Sequence, residues 1–424
     1  MIPWYRIARF LYKPHWKGYQ MKSVELFAGA GGLAMGASLA GFKPLAVVEW
    51  NKWCCDTIRE NQKRRFPIVS DWNLIEEDVR KFDWESLGED VDLVTGGPPC
   101  QPFSMAGKHK AFNDDRDMFP ATVSVIRALR PKAFIIENVK GLMRSSFANY
   151  YQYILLQLEF PEIVSRRDED WLNHLRRLQI EKTSKKPRQL GLTYNVVATL
   201  VNAADYGVPQ KRERIFIVGF RSDIDANWSF PKPTHSKSSL LHSKWISGEY
   251  WRRHNIPKSN RPIAPDQLIS QLQKMPKEKR ELHARPWRTV RDALQGLTRP
   301  SLKNDCSFHN HLLQLGARVY TGHTGSPLDE PAKTIKAGDH GVPGGENMVV
   351  FPDGSVRYFS VRESARLQTF PDGFIFHGSW TETMRQLGNA VPITLARYVC
   401  ASVGEALAES EIRCIKNTLS RSIA

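Results

Sequence analysis

The residues best suited to chemistry in this chain are a cysteine, a carboxylate and a pair of arginines, each placed next to an apolar run. Cys100 lies in Gly96-Gly97-Pro98-Pro99-Cys100-Gln101-Pro102-Phe103-Ser104, directly after the strand-like run Val91 to Thr95. Two prolines fix the backbone ahead of it. A cysteine in such a loop reads as a nucleophile, whereas a buried cysteine is usually a small hydrophobe. Glu137, in Glu137-Asn138-Val139, follows the run Ala133 to Ile136 and places a carboxylate on the same sheet edge. A thiol and a carboxylate in one cleft suggest attack on a ring that must be protonated elsewhere. In Gln210-Lys211-Arg212-Glu213-Arg214 the alternating spacing puts both guanidinia on one face. Such a pair suits a phosphate or a base carbonyl, with a charged strand edge as the plainer alternative.

A second kind of chemistry is binding. Phe27-Ala28-Gly29-Ala30-Gly31-Gly32 joins the strand-like Lys22 to Ala28 to the helical Leu33 to Ala40. Glycines there allow positive φ and a close ligand approach. Glu49 ends the next strand, 20 residues after Gly29, where a Rossmann-like fold places an acid on ribose hydroxyls. Gly29-x-Gly31-x-x-Ala34 alone also fits a dinucleotide enzyme. Two further segments, Arg362 to Pro371 and Gln386 to Pro392, read physically as a capped helix or turn.

These residues need a scaffold, and alternation of strands with helices predicts a doubly wound parallel sheet. Strands are expected at Pro44 to Glu49, 193–201 and 214–220, with a helix over 117–129. Residues 151–190 break the rhythm and read as an insertion. From 226 to 303 the chain carries 16 Lys/Arg and five Asp/Glu, so 16 − 5 = +11 of the net charge of +16 sits there. Trp228, Trp245, Trp251 and Trp287 lie among those bases, which suits phosphate contact and base stacking, or else a small core. At 424 residues, two or three domains are expected. The boundaries expected are 1–21 for an extension, 22–222 for a catalytic domain, 223–356 for a basic recognition domain and 357–424 for a return to the catalytic domain. None of the six cysteines forms a C-x-x-C pair, which disfavours a zinc ribbon, and a reducing compartment is the default. Residues 1–20 have no apolar core of a secretory signal, and no apolar stretch of 18 residues is expected to span a membrane.

Together, FAGAGG (27–32), GGPPCQPFS (96–104), ENV (137–139), QKRER (210–214), RESARLQTFP (362–371) and QLGNAVP (386–392) resemble the DNA (cytosine-5) methyltransferases of bacterial restriction–modification systems, in that family's order. The resemblance implies a Rossmann-like S-adenosylmethionine-dependent methyltransferase fold with a smaller target-recognition domain. It implies that Cys100 attacks C6 of a flipped-out cytosine while Glu137 holds N3 and the exocyclic amine. Arg214 would contact O2, and Arg212 would support Cys100 or a nearby phosphate. Phe27, Gly29, Gly31, Glu49, Trp50, Asp78, Pro99, Asn389 and Ala390 would bind S-adenosylmethionine. Ser104, Gln210, Thr334 and Ile335 would contact double-stranded DNA, and no metal is implied. A cognate restriction endonuclease, a monomeric state and a bacterial cytoplasmic location are further expectations. The alternatives are a transfer-RNA cytosine methyltransferase with the same core, a Rossmann dehydrogenase, and a DNA-binding module without activity.

Overall fold

A computed structural model describes residues 20–99, 117–184, 191–274, 284–303, 308–338 and 347–423. Its main sheet has seven strands. These are β1 (Lys22–Leu26), β2 (Lys43–Glu49), β3 (Leu74–Glu76), β4 (Leu93–Gly96), β5 (Ala133–Val139), β6 (Tyr194–Asn202) and β7 (Glu213–Arg221), in the order β3-β2-β1-β4-β5-β7-β6. The first five are parallel, but β7 runs antiparallel to both β5 and β6. The purely parallel expectation is therefore corrected to a mixed sheet. The connection from β6 to β7 is too short for a crossover, so the chain turns back beside itself. That hairpin also lengthens β5, because β7 pairs with it as far as Val139 opposite Arg214. Glu137 consequently belongs to the strand, not to a loop beyond it.

Strand order reverses between β1 and β4, whose carboxyl ends pair at Leu26 and Gly96. Open α/β sheets bind ligands in the crevice at such a point. Helices α1 (Gly32–Ala40), α2 (Lys52–Lys63), α3 (Phe119–Leu129), α4 (Ala148–Glu159) and α5 (Trp171–Thr183) follow along the chain. Alternation along β5 divides the apolar layers. Phe134 and Ile136 pack with buried residues of α3, α4 and α5. Tyr153, Ile154, Leu158, Leu175 and Leu178 belong to that core, so the segment that breaks the strand–helix rhythm packs against the main sheet.

The basic segment contributes β8 (His235–Ser236), α6 (Lys237–Trp245), α7 (Glu249–Arg253), α8 (Asp266–Lys274), β9 (Arg285–Pro286), α9 (Val290–Leu294) and β10 (Ser326–Pro327). β11 (Met348–Val350) and β12 (Val356–Tyr358) form the hairpin expected at Asp353-Gly354, and Gly354 takes φ 82°. The stacking role expected of the tryptophans is corrected. Trp251 is buried with Leu240 and Tyr250, with Trp245 and Trp287 packed against them. Trp228 packs against Phe220 and donates to Ser402 Oγ at 3.1 Å, so it sits with the main sheet and not with that cluster. Part of the positive charge is paired as well: buried Lys244 with Glu330, Arg253 with Asp292, and Arg291 with Asp329.

The chain returns to the main sheet through α10 (Val361–Leu367), α11 (Trp380–Asn389) and α12 (Ile393–Ile423). Ala133 and Ile135 of β5 pack with buried residues of α1 and α12. These helices touch so closely that a Cβ on Gly36 would lie 2.3 Å from Ala396 Cβ. Residues 380–416 do contain an 18-residue window long and apolar enough to cross a membrane, contrary to expectation. Two-thirds of that window (67%) is buried inside the fold, as a core helix requires.

Candidate active site

A cavity of about 560 Å³ opens at the carboxyl ends of β1, β2, β4 and β5 and is closed by the end of α11. That size falls in the range of about 300–1,000 Å³ usual for small-ligand sites. The wall begins at the glycine turn. Phe27 takes φ 54°, a strained value for a side chain with a ring, and Gly29 also takes φ 54°. Glu49 fixes this turn: Gly29 N–H donates to its Oε2 and Asn51 N–H to its Oε1, each at 2.7 Å. Burial pushes the Glu49 carboxyl up, and those backbone donors oppose the shift. One carboxylate is therefore oriented with lone pairs left over for a hydroxyl-bearing ligand.

Trp50, Asp78, Pro99, Asn389 and Ala390 also line the cavity. Trp50 is 70% exposed, so its indole is open to a ligand. Asp78 is held below the usual carboxylate range by its hydrogen bond to Arg80. Gly31 is the exception among the expected cofactor residues. It caps α1 with φ 86°, and a Cβ there would sit 2.8 Å from the Trp72 ring. Its requirement is packing, and it does not line the cavity.

Glu137 and Arg214 meet deeper in the same cavity, where Arg214 Nε lies 2.9 Å from Glu137 Oε1. No hydrogen bond reaches that oxygen among the described residues, although it is fully buried. Burial raises the Glu137 carboxyl above its ordinary value, opposed by the charges of Arg214 and Arg212. The guanidinium of Arg214 stays a cation, since arginine does not lose its proton in proteins. The arrangement can present a proton, or accept one, at a buried planar ligand. Next along β5, Asn138 Nδ2 donates to Pro98 O at 3.0 Å. That bond ties the root of the cysteine loop to the strand carrying Glu137.

Arg212 does other work than expected. Its side chain is fully buried and donates to Ile335 O at 3.2 Å, Gly388 O at 2.7 Å and Ala390 O at 3.0 Å. One guanidinium thus clamps the segment at Ile335 to the end of α11. Its terminal nitrogens are held by those carbonyls, while Arg212 also lines the cavity and its charge acts on Glu137. Gln210 and Ile335, expected at DNA, are also fully buried. Gln210 Oε1 accepts from Ile335 N–H at 2.9 Å, and its Nε2 donates to Gln368 Oε1 at 3.1 Å. Both side chains are therefore packed inside and tied to each other and to Gln368. Thr334 remains partly exposed and donates to Lys211 O at 2.9 Å.

Cys100 and Ser104 lie outside the described residues. Among the described cysteines, only Cys54 lines the cavity, and burial beside Glu49 pushes its thiol far up. It is unsuited to be a thiolate nucleophile. The sequence reading missed Arg385, which lines the cavity and whose charge acts on Glu49. Its place three residues ahead of Gly388-Asn389 was the available signal.

The C-5 cytosine-specific DNA methylase family model matches residues 21–161 and 170–405. The chain is 32% identical over 381 residues to the Type II methyltransferase M.PspPI of Psychrobacter sp. (strain TA137), covering 88% of this chain and 76% of that one. It is 30% identical over 401 residues to the Type II methyltransferase M.FnuDI of Fusobacterium nucleatum, covering 92% and 96%. Among solved structures, the S. pombe Dnmt2 methyltransferase superposes with a TM-score of 0.52 at 16% identity, covering 92% of this chain and 99% of that one. This last likeness concerns the fold.

Proposed function

Since the chain belongs to the C-5 cytosine-specific DNA methylases and is a DNA cytosine-5 methyltransferase of Type II modification kind, we propose that it methylates a cytosine extruded from duplex DNA, through a covalent adduct between Cys100 and C6. The observation that carries this reading is the single cavity joining a ribose-type acid, Glu49, to a buried carboxyl–guanidinium pair, Glu137 and Arg214. S-adenosylmethionine, when bound, supplies the methyl group from its sulfonium.

The residues present fit that donor. The Phe27–Gly29 turn offers close backbone approach, Glu49 offers oxygens for ribose hydroxyls, and exposed Trp50 offers a face for the adenine. Phe27 can also face a cation, a contact worth on the order of 0.5–2 kcal/mol. Asp78 and the Asn389–Ala390 end of α11 would close the pocket.

On the cytosine, Arg214 would hold O2, and the carboxyl of Glu137 would face N3 and the exocyclic amine. C5 of cytosine is a poor nucleophile. Addition of the Cys100 thiolate at C6 pushes electrons into the ring toward N3, where the proton of Glu137 receives them. C5 then has enamine character and takes the methyl group. Loss of the C5 proton restores the double bond and expels the Cys100 thiolate. The raised affinity of buried Glu137 for its proton suits this step. Because C6 is inaccessible inside a stacked duplex, the base must be flipped out.

A cognate restriction endonuclease from which this mark protects DNA, a monomeric working state, and action on DNA in the bacterial cytoplasm complete the proposal. The transfer-RNA reading is not favoured, because the family model and the Type II relatives concern DNA modification. A duplex with 5-fluorocytosine at the target tests the covalent step. Fluorine at C5 cannot leave as a proton, so the adduct is trapped. Wild-type protein with S-adenosylmethionine should form a denaturation-resistant complex, and Cys100→Ser should form none. A trapped complex with Cys100→Ser would refute the assignment.

A further inference from the structure

A second cavity, of about 490 Å³, adjoins the first and shares Arg214, Gly388 and Asn389 with it. Its opposite side is formed by Tyr320 and His323, which neither the motifs nor the catalytic reading had singled out. They close a tight turn: His323 N–H donates to Tyr320 O at 2.8 Å, and Gly322 between them takes φ 82°. The turn brings the two rings to 4.3 Å between centroids at 34°. Tyr320 is 44% exposed, so this pair does not belong to a core. Thr334 and Lys336 line the same cavity, and Lys336 is exposed.

An aromatic pair beside a lysine matches the two halves of a nucleotide. Bases stack on ring faces, and ammonium groups meet phosphates. The location adds the connectivity. A cytosine held by Glu137 and Arg214 would have its backbone leave the first cavity past Arg214 and Asn389, the residues both cavities share. The adjoining nucleotide then arrives at the second cavity.

We propose that the Tyr320–His323 turn is a positioning element that stacks on a base flanking the target cytosine while Lys336 meets the neighbouring phosphate. The turn thereby contributes to DNA affinity and to preference for the flanking base. This rests on the proposed extrusion of cytosine into the first cavity.

The test uses the full chain and a duplex carrying its mapped target, with 2-aminopurine at each position flanking the cytosine in turn. Stacking quenches 2-aminopurine emission. Tyr320→Ala should raise KM for DNA by about 5- to 150-fold, the range for one lost base–aromatic stack. It should relieve quenching at one flanking position and leave kcat at saturating DNA near wild type. Tyr320→Phe keeps the ring and should restore both KM and quenching. Lys336→Ala should lower the salt slope of DNA binding by about 1. Unchanged KM and emission in Tyr320→Ala, with normal kcat, would overturn the stacking role and leave the enzyme reading intact. A Phe variant as weak as the Ala variant would also overturn it. Absence of methyl transfer to any duplex by the wild type would instead overturn the proposed function, and this inference with it.

Discussion

Gly388 packs directly against the backbone of Lys336–Ala337, and adding one methyl group there tests how that junction works. A Cβ at Gly388 would lie 2.2 Å from Ala337 N, 2.4 Å from Ala337 Cα and 2.5 Å from Lys336 C. All three are backbone atoms, so no rotamer change relieves the clash. Ordinary contact begins at 3.4 Å, so the two segments must part by 3.4 − 2.2 = 1.2 Å. Arg212 resists the separation, because it bonds Ile335 O on one side and Gly388 O on the other. Overpacking of this kind costs about 1–3 kcal/mol. A displacement of about 1 Å in a positioned site can cost on the order of 100-fold in rate. Gly388→Ala should therefore lower kcat/KM for DNA by about 10- to 100-fold. The assay is steady-state methyl transfer to duplex DNA at saturating S-adenosylmethionine, with stability followed by urea unfolding. Gly36→Ala is the control. Its Cβ would meet Ala396 Cβ at 2.3 Å in the α1–α12 interface, away from the recognition segment. It should lose stability while the folded fraction keeps its DNA kinetics. Wild-type kcat/KM in Gly388→Ala would refute the claim that this spacing positions the recognition segment.

Three further expectations follow from the same geometry. Arg212→Met should destabilise the protein by about 1–3 kcal/mol in urea unfolding, because carbonyls of Ile335, Gly388 and Ala390 lose a buried donor; a loss near zero would contradict the clamp. Glu137→Gln should lower methyl transfer by about 10²- to 10⁴-fold while DNA is still bound, and a near-normal rate would remove Glu137 from the chemistry. Because burial raises the Glu137 carboxyl, activity dependent on its proton should persist above the ordinary glutamate range and fall as pH rises through the shifted value. His235 is buried under Gly207, and desolvation, aided by the charges of Arg285 and Arg288, lowers it from 6.5 to about 4. Its folded-state pKa is depressed, so its neutral form stabilises the fold fully above 6.5. That contribution is lost as pH falls from 6.5 toward 4, and the difference of 6.5 − 4 = 2.5 is worth about 3 kcal/mol. Urea titrations across that window should show the loss in the wild type and not in His235→Asn; identical pH profiles would contradict it.

The chemistry was legible where local sequence dictates local structure. Gly29 and Glu49 were found by spacing, since a turn with positive φ and an acid ending the next strand are local properties. Glu137 was found because an apolar run ends just before it. What was not legible depends on contacts between distant segments. Gln210 and Ile335 lie 125 residues apart, and only their hydrogen bond shows that both are internal. The basic stretch around Trp251 reads as a nucleic-acid surface until Tyr250 and Leu240 are seen to bury the indole. Gly31 has the spacing of a binding glycine, and only the Trp72 ring facing it reveals a packing role. The antiparallel return of β7 escaped prediction for the same reason, because apolar alternation carries no strand direction. Tyr320 and His323 carry no motif, and their position beside Arg214 exists only in the folded chain.

The most direct test of the central claim is methyl transfer from labelled S-adenosylmethionine by wild-type protein and Cys100→Ser, with duplex DNA and transfer RNA in parallel and the modified base identified. The account predicts 5-methylcytosine in DNA alone, abolished in Cys100→Ser while that variant still binds the duplex. Label confined to RNA, or undiminished transfer by Cys100→Ser, would contradict it.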